Sequence, residues 1–174
     1  MIILESERLL FRDHEVSDLD AYCAMEADPE VRRYVGGRPR PREEAERKFR
    51  QGLKRPPSQR LSMWATVYKQ KGLYIGRCGV YPHFVTAGGI IPGEGSLAFY
   101  LARAYWGLGL ATEAGRAFVN FGFHELGLTR IVTTVQVGND ASVRVLEKLG
   151  FRLAGTEQGE FRSFYHFQVD HPKH

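Results

Sequence analysis

The chain has 174 residues, 43% hydrophobic and 25% charged, with a net charge of +4, enough to bury one good core and too few for two comfortable ones. No apolar run approaches the roughly 18 residues of a membrane span, and the opening "MIILESERLLF" carries glutamates where a signal peptide needs a basic lead; one cytoplasmic domain over residues 1–174 is expected, with no membrane partner. Cys23 and Cys78 lie far apart and outside any CxxC, which argues against a disulfide framework or a cysteine zinc site and for buried, reduced thiols.

In chain order, "RLLFRDH", Arg8 to His14, alternates as a first strand, and Ser17 is the candidate cap of a helix running to about Ala27. Pro29 and then "GGRPRP" break the chain. A second helix is expected from about Arg42 to Leu53. Between Arg32 and Arg60 stand 11 of the 24 Lys and Arg, against only Glu43, Glu44 and Glu46. Such a run is most simply a solvated helix face, and otherwise a surface for phosphates or an acidic substrate. Nucleic acid would want interleaved aromatics, and the stretch offers only Tyr34 and Phe49; it is not expected as a partner.

"SMWATVYKQKGLYIGRCGVYPHF" reads as two strands with a turn at Lys71 and Gly72. "SLAFYLARA", Ser96 to Ala104, is a central strand, apolar on both faces. A helix follows from about Gly109 to Leu126, then a strand, "RIVTTVQV", Arg130 to Val137. Asn139 or Asp140 caps a further helix through Leu149, closed by Gly150. "FRLAGTEQ" and "FRSFYHFQV" are the last strands. The sum is an α/β fold, a mixed sheet of six to seven strands flanked by four helices.

Between the central strand and its helix lies "YWGLGLATEA", Tyr105 to Ala114. Glycine beside a helix costs about 0.5–1 kcal/mol relative to alanine, so Gly107 and Gly109 need a reason. A strand passing into a helix through two glycines exposes backbone N–H groups at the positive end of the helix, an anion cradle to which Thr112 adds a hydroxyl. No lysine follows, as a P-loop requires, and the third glycine of a dinucleotide fingerprint is Thr112. Phosphate facing Gly109 would leave no room for a side chain there. The plainer alternative is that the glycines only permit close packing.

The loop resembles the acetyl-CoA diphosphate loop, (Q/R)xxGx(G/A), of the GNAT superfamily of N-acetyltransferases. "NDASVRVLEKLGF", Asn139 to Phe151, is similar to the second conserved block of its RimJ/RimL branch, the ribosomal-protein N-terminal acetyltransferases. "ESERLLFRD", "ADPEVRRYVG" and "YIGRCGVY" resemble that branch too, so the likeness spans nearly the whole chain. The resemblance implies the GNAT fold and acetyl-CoA as co-substrate, with Gly107, Leu108, Gly109, Leu110, Ala111 and Thr112 around the diphosphate. It implies that the pantetheine arm runs along Tyr100, Leu101 and Ala102, between splayed strands, with Asn139, Ser142 and Val143 on the far wall. Arg144 or Lys148 would reach the nucleotide phosphates, unless they are solvated helix charges.

Two departures from the family pattern matter. The residue opening the loop motif is Ala104, beside Arg103, in place of Gln or Arg. The tyrosine that serves many relatives as general acid is replaced by Leu146. Ser142 then becomes the candidate donor to the departing sulfur, as the branch implies, or else a capping serine. The position where relatives carry a glutamate base is Ser96; Glu94, two residues earlier, is the remaining candidate, or a turn residue.

Amine attack on a thioester needs a neutral amine and a stabilised oxyanion. Deprotonating an α-amino group at pH 7 costs about 1 kcal/mol, a lysine roughly 4–5. A weak base therefore favours a peptide N-terminus or a small amine of low pKa. A non-catalytic acyl-CoA sensor and an acetyltransferase of antibiotics or other small amines are the competing readings, and a homodimer stays open. The histidines His14, His83, His124, His166, His171 and His174 form no HxxxH pair, so no metal is expected. His83 and His166 read as packing or surface residues, Trp64 as core, and Phe99, Tyr105 and Trp106 as core or cleft walls.

Overall fold

The structure, a computed structural model, describes residues 1–56, 59–84 and 88–172. Its centre is one sheet of eight strands: β1 (Ile2–Glu5), β2 (Leu9–Arg12), β3 (Ser62–Tyr68), β4 (Leu73–Phe84), β5 (Ile90–Leu101), β6 (Arg130–Gln136), β7 (Arg152–Gln158) and β8 (Ser163–Asp170). They lie in the order β1-β2-β3-β4-β5-β6-β8-β7. All neighbours are antiparallel except β5 and β6, which run parallel. The helices are α1 (Leu19–Ala27), α2 (Pro29–Arg32), α3 (Arg42–Gly52), α4 (Leu110–His124) and α5 (Asp140–Lys148). Among the described residues no helix is long and apolar enough to cross a membrane.

The sheet is slightly larger than expected, and the differences have local causes. β1 is an edge strand whose residues are only partly covered, so no alternation marks it. α2 is a single turn, with Pro29 at its first position and the Asp28 carboxylate accepting the Glu30 amide at 2.8 Å; what reads as a chain break is a capped turn. Ser17 caps nothing. It lies in the 3-10 turn Val16–Asp18 before α1, where Asp18 accepts the Glu15 amide at 2.8 Å and is gripped by both Arg12 Nη atoms at 2.7 and 2.8 Å. β5 begins at Ile90 because "IIPGEG" pairs with β4, Phe84 opposite Ile90 and Pro82 opposite Gly95. It ends at Leu101, where Arg103–Tyr105 makes a 3-10 turn.

α4 packs its buried face, including Leu110, Ala114 and Phe118, on β4, β5 and β2. Leu9, Phe11, Trp64, Ile75, Leu97, Ile131 and Leu146 complete the core, each large side chain worth about 1.5–3 kcal/mol of burial. Phe11 meets Phe118 edge to face with centroids 4.8 Å apart. A smaller cluster of Tyr22, Cys23, Ala45 and Phe49 joins α1 to α3. Both cysteines are free and buried, and burial pushes the Cys78 thiol up to about 12.

The basic run disperses on folding because acids from outside it meet its arginines. Arg32 and Arg40 bind Glu26, Arg42 binds Asp20, and Arg55 binds Asp13 and lies over Trp64. Arg38 and Arg50 pair with Glu44 and Glu46.

Candidate active site

β5 and β6 pair only at Glu94–Arg130, Gly95–Ile131 and Ser96–Val132. Beyond Ser96, β5 continues along β4 as far as Leu101 while β6 continues along β8 to Gln136, so the parallel pair divides like a V. A cleft of about 520 Å³ opens in the fork, lined by Leu97 to Leu101 and Thr133 to Gln136. Among the described residues the facing edges there have no strand partner, and backbone N–H and C=O groups left unpaired seek one. An extended, amide-bearing ligand would supply it.

The loop Tyr105–Gly109 and the first turn of α4 close one end. Gly107 and Gly109 adopt left-handed φ of +74° and +77°, and Gly109 is the N-cap of α4 with no side chain bonded over it. The helix's first N–H groups are therefore available to an anion. The glycine requirement differs from expectation. A Cβ on Gly107 would meet nothing within 4 Å, and one on Gly109 only Arg8 Nη2 at 3.6 Å. Within the chain it is the backbone angle, costing a side-chain-bearing residue about 1–2 kcal/mol, that calls for glycine.

Of the residues singled out from sequence, Tyr100, Leu101, Gly107, Gly109, Leu110, Ala111, Thr112, Asn139 and Ser142 line this cleft, with Arg144 and Lys148. Phe99, Tyr105 and Trp106 line it as well, and Trp64 is core at 1% exposure. Ala102 and Leu108 stand outside the lining. The Ala102 amide bonds the Ile75 carbonyl at 2.8 Å, and Leu108 turns an exposed side chain outward while its carbonyl accepts from Arg8 at 2.9 Å. Val143 packs against the core.

Leu146, fully buried, belongs to the core. Asn139, not Asp140, caps α5: its Oδ1 accepts the Ser142 amide at 3.3 Å. Glu94 is a strand residue rather than part of a turn, and it does not line the cleft. His83 Nδ1 lies 2.8 Å from Glu94 Oε2, and Arg130 Nη1 donates to Oε1 at 3.3 Å. His166 bridges Thr134 and Glu157; His174 lies outside the described residues. Among the described residues no group of three or more His, Cys, Asp or Glu could hold a metal ion.

The opposite wall was not read from sequence. Glu30, Val31, Tyr34 and Val35, from α2 and the turn after it, line the cleft with Tyr81 of β4. The Tyr34 hydroxyl donates to the Gly138 carbonyl at 3.0 Å, tying α2's turn to the β6–α5 connection. Tyr81 is the register partner of Ser96, and burial raises its phenol above the ordinary value. No spacing rule joins residues 31, 81 and 134; the sheet does.

The geometry fits coenzyme A, with an anion cradle at one end and a length of open strand edge for the amide-bearing arm. Comparison with known proteins agrees. The acetyltransferase (GNAT) domain family matches residues 8–152. The uncharacterized N-acetyltransferase p20 of Bacillus licheniformis is 29% identical over 156 residues, covering 89% of this chain and 85% of p20. YkkB of Bacillus subtilis, an uncharacterized protein, is 32% identical over 96 residues, 55% of this chain and 54% of YkkB. A GNAT acetyltransferase from Bacillus anthracis superposes over 98% of both chains with a TM-score of 0.83 at 23% identity. RimL, a ribosomal L7/L12 α-N-protein acetyltransferase solved with coenzyme A, superposes over 98% of both chains at 0.79 and 15% identity. With the family model matching residues 8–152, most of the chain, this chain belongs to the GNAT family of acetyltransferases.

Proposed function

We propose that the enzyme binds acetyl-CoA in the β5–β6 fork and transfers the acetyl group to an α-amino group or another amine of low pKa, in the manner of the RimJ/RimL branch. The amine nitrogen attacks the thioester carbonyl carbon, the C–S bond breaks, and the sulfur takes a proton. Ser142, lining the cleft from the first turn of α5, is the group that supplies this proton or hydrogen bond. The amine's own proton leaves to water, and Ser142, where it gives up its proton outright, regains one from water, so that the products are the amide and the free thiol.

The observation that carries the amine class is the poverty of carboxylates in the fork. Ser96 stands where the strands part, and Glu94 is held by His83 and Arg130 outside the lining. Among the described residues Glu30, across the cleft, is the one acid of the lining and would draw a cationic amine rather than deprotonate a lysine. A site without a strong base favours the substrate that needs least help, by the roughly 3–4 kcal/mol separating α-amino from lysine deprotonation.

Incubation with acetyl-CoA and paired peptides, one with a free N-terminus and one blocked but carrying lysine, tests this by mass spectrometry; spermidine is a third arm. Preferential acetylation of free N-termini supports the reading. Equal reaction of the blocked lysine peptide overturns the argument from base strength, and coenzyme A binding with no acetylated product from any amine favours the sensor alternative.

A further inference from the structure

We propose that Arg8 is a positioning residue for the diphosphate loop, setting the direction of a loop N–H from behind and cancelling an acid that would otherwise repel the phosphates. Arg8 lies in the turn between β1 and β2, about 100 residues from the loop in sequence. Its Nη1 donates to the Leu108 carbonyl at 2.9 Å. Its Nε donates to Glu113 Oε2 and its own amide to Glu113 Oε1, each at 2.7 Å. The Ser6 hydroxyl donates to the same Oε1 at 2.7 Å. One side chain thus joins the loop to the first turn of α4, where Glu113 stands.

The consequence follows from peptide geometry. The Leu108–Gly109 peptide is planar and trans, so its C=O and N–H point in opposite directions. Holding the Leu108 carbonyl on Arg8 turns the Gly109 N–H away from Arg8, and Gly109, Leu110, Ala111 and Thr112 line the cleft. A loop hinged on two left-handed glycines has little else to fix that plane. With the carbonyl free to rotate, the same peptide could present its oxygen to the phosphates.

Charge adds a second contribution. Glu113 is an acid one turn from the anion cradle, with its side chain 15% exposed. Burial pushes its carboxyl up, but bonds from the Arg8 amide, Ser6 and the Arg8 guanidinium outweigh this and hold it below the usual range. It therefore carries a full negative charge, and Arg8 is the cation that answers it. The loop motif opens with Ala104 instead of Gln or Arg; Arg8 gives the loop a basic anchor from the β1–β2 turn.

The inference rests on the cofactor reading above, and the test separates the two. Calorimetry with coenzyme A should show Arg8→Met binding about 10- to 100-fold more weakly than wild type. Ligand-observed NMR with pantetheine, which has no phosphate, should show both proteins alike. Adding Glu113→Gln to Arg8→Met should recover part of the lost affinity, because the bare carboxylate is gone. Arg8→Lys, which keeps the charge but cannot hold Leu108 and Glu113 together, should fall between wild type and Arg8→Met and serves if the latter melts too low. Unchanged coenzyme A affinity in a folded variant, or an equal loss for pantetheine, overturns the positioning role. Wild-type protein that does not bind coenzyme A at all overturns the cofactor reading itself.

Discussion

Asn139 accepts the amide of Ser142 at 3.3 Å, so the cap of α5 is made by the asparagine side chain and the serine contributes only its backbone. The Ser142 hydroxyl is left to the cleft that the residue lines. Structure and chemistry can therefore be separated by two substitutions. Asn139→Ala should lower stability by about 1 kcal/mol. Ser142→Ala should leave melting nearly unchanged and lower kcat at saturating acetyl-CoA by about tenfold to a thousandfold. Unchanged turnover in Ser142→Ala would leave the thiolate to water and backbone N–H groups.

Gly109 should tolerate neither alanine nor valine, for the same reason of backbone angle. At φ +77°, Gly109→Ala is expected to cost about 1–2 kcal/mol if the loop keeps its shape, or to relax and lose the aligned N–H groups. Gly109→Val should abolish coenzyme A binding while the protein stays folded. Calorimetry that finds wild-type affinity in Gly109→Val would remove the anion cradle from the reading.

His14 makes stability depend on pH. Burial is the largest influence on the ring, lowering its pKa from 6.5 to about 4; Asp18 opposes this and Arg77, Arg12 and Arg55 reinforce it. Its Nε2 is enclosed and has no hydrogen-bond partner among the described residues. The unfolded chain therefore binds a proton more readily than the folded one. The stabilisation is fully present above about pH 6.5 and is lost as pH falls toward 4, up to about 3 kcal/mol. Urea unfolding between pH 6.5 and 5, above most carboxylate titration, should show a steady decline that His14→Gln removes. Parallel curves for the two proteins would contradict this.

Glu26 is 1% exposed and faces three arginines, Arg32 at 3.3 Å, Arg40 at 2.5 Å and Arg77 at 2.7 Å. Arg77 lies 5.1 Å from the ring centre of Tyr100, a cleft residue. Glu26→Gln leaves these cations without their shared counter-charge and is expected to cost about 3–5 kcal/mol. Thermal melting that stays within about 2 °C of wild type, where a cost of that size predicts a far larger drop, would show that the cluster relaxes into solvent.

The glycine loop, the capped helix after Asn139 and the central strand were all read from local pattern, because caps, glycine angles and apolar runs are properties of neighbours in the chain. The family resemblance rested on the glycine loop and the Asn139 block together with "ESERLLFRD", "ADPEVRRYVG" and "YIGRCGVY". β1 and the α2 turn escaped that reading, one lacking alternation and the other carrying proline and charge. What folding alone settled lies between distant segments. The basic run looked like a surface because its counter-charges, Asp13, Asp20 and Glu26, lie outside it. Glu94 looked like a turn residue because β4 was not beside it. Arg8 looked like a strand residue until β2 stood against α4, and Tyr81 was unmarked until its strand carried it to Ser96. A charge or hydrogen bond acts through space over a few ångströms, and the chain order does not say which residues will come that close.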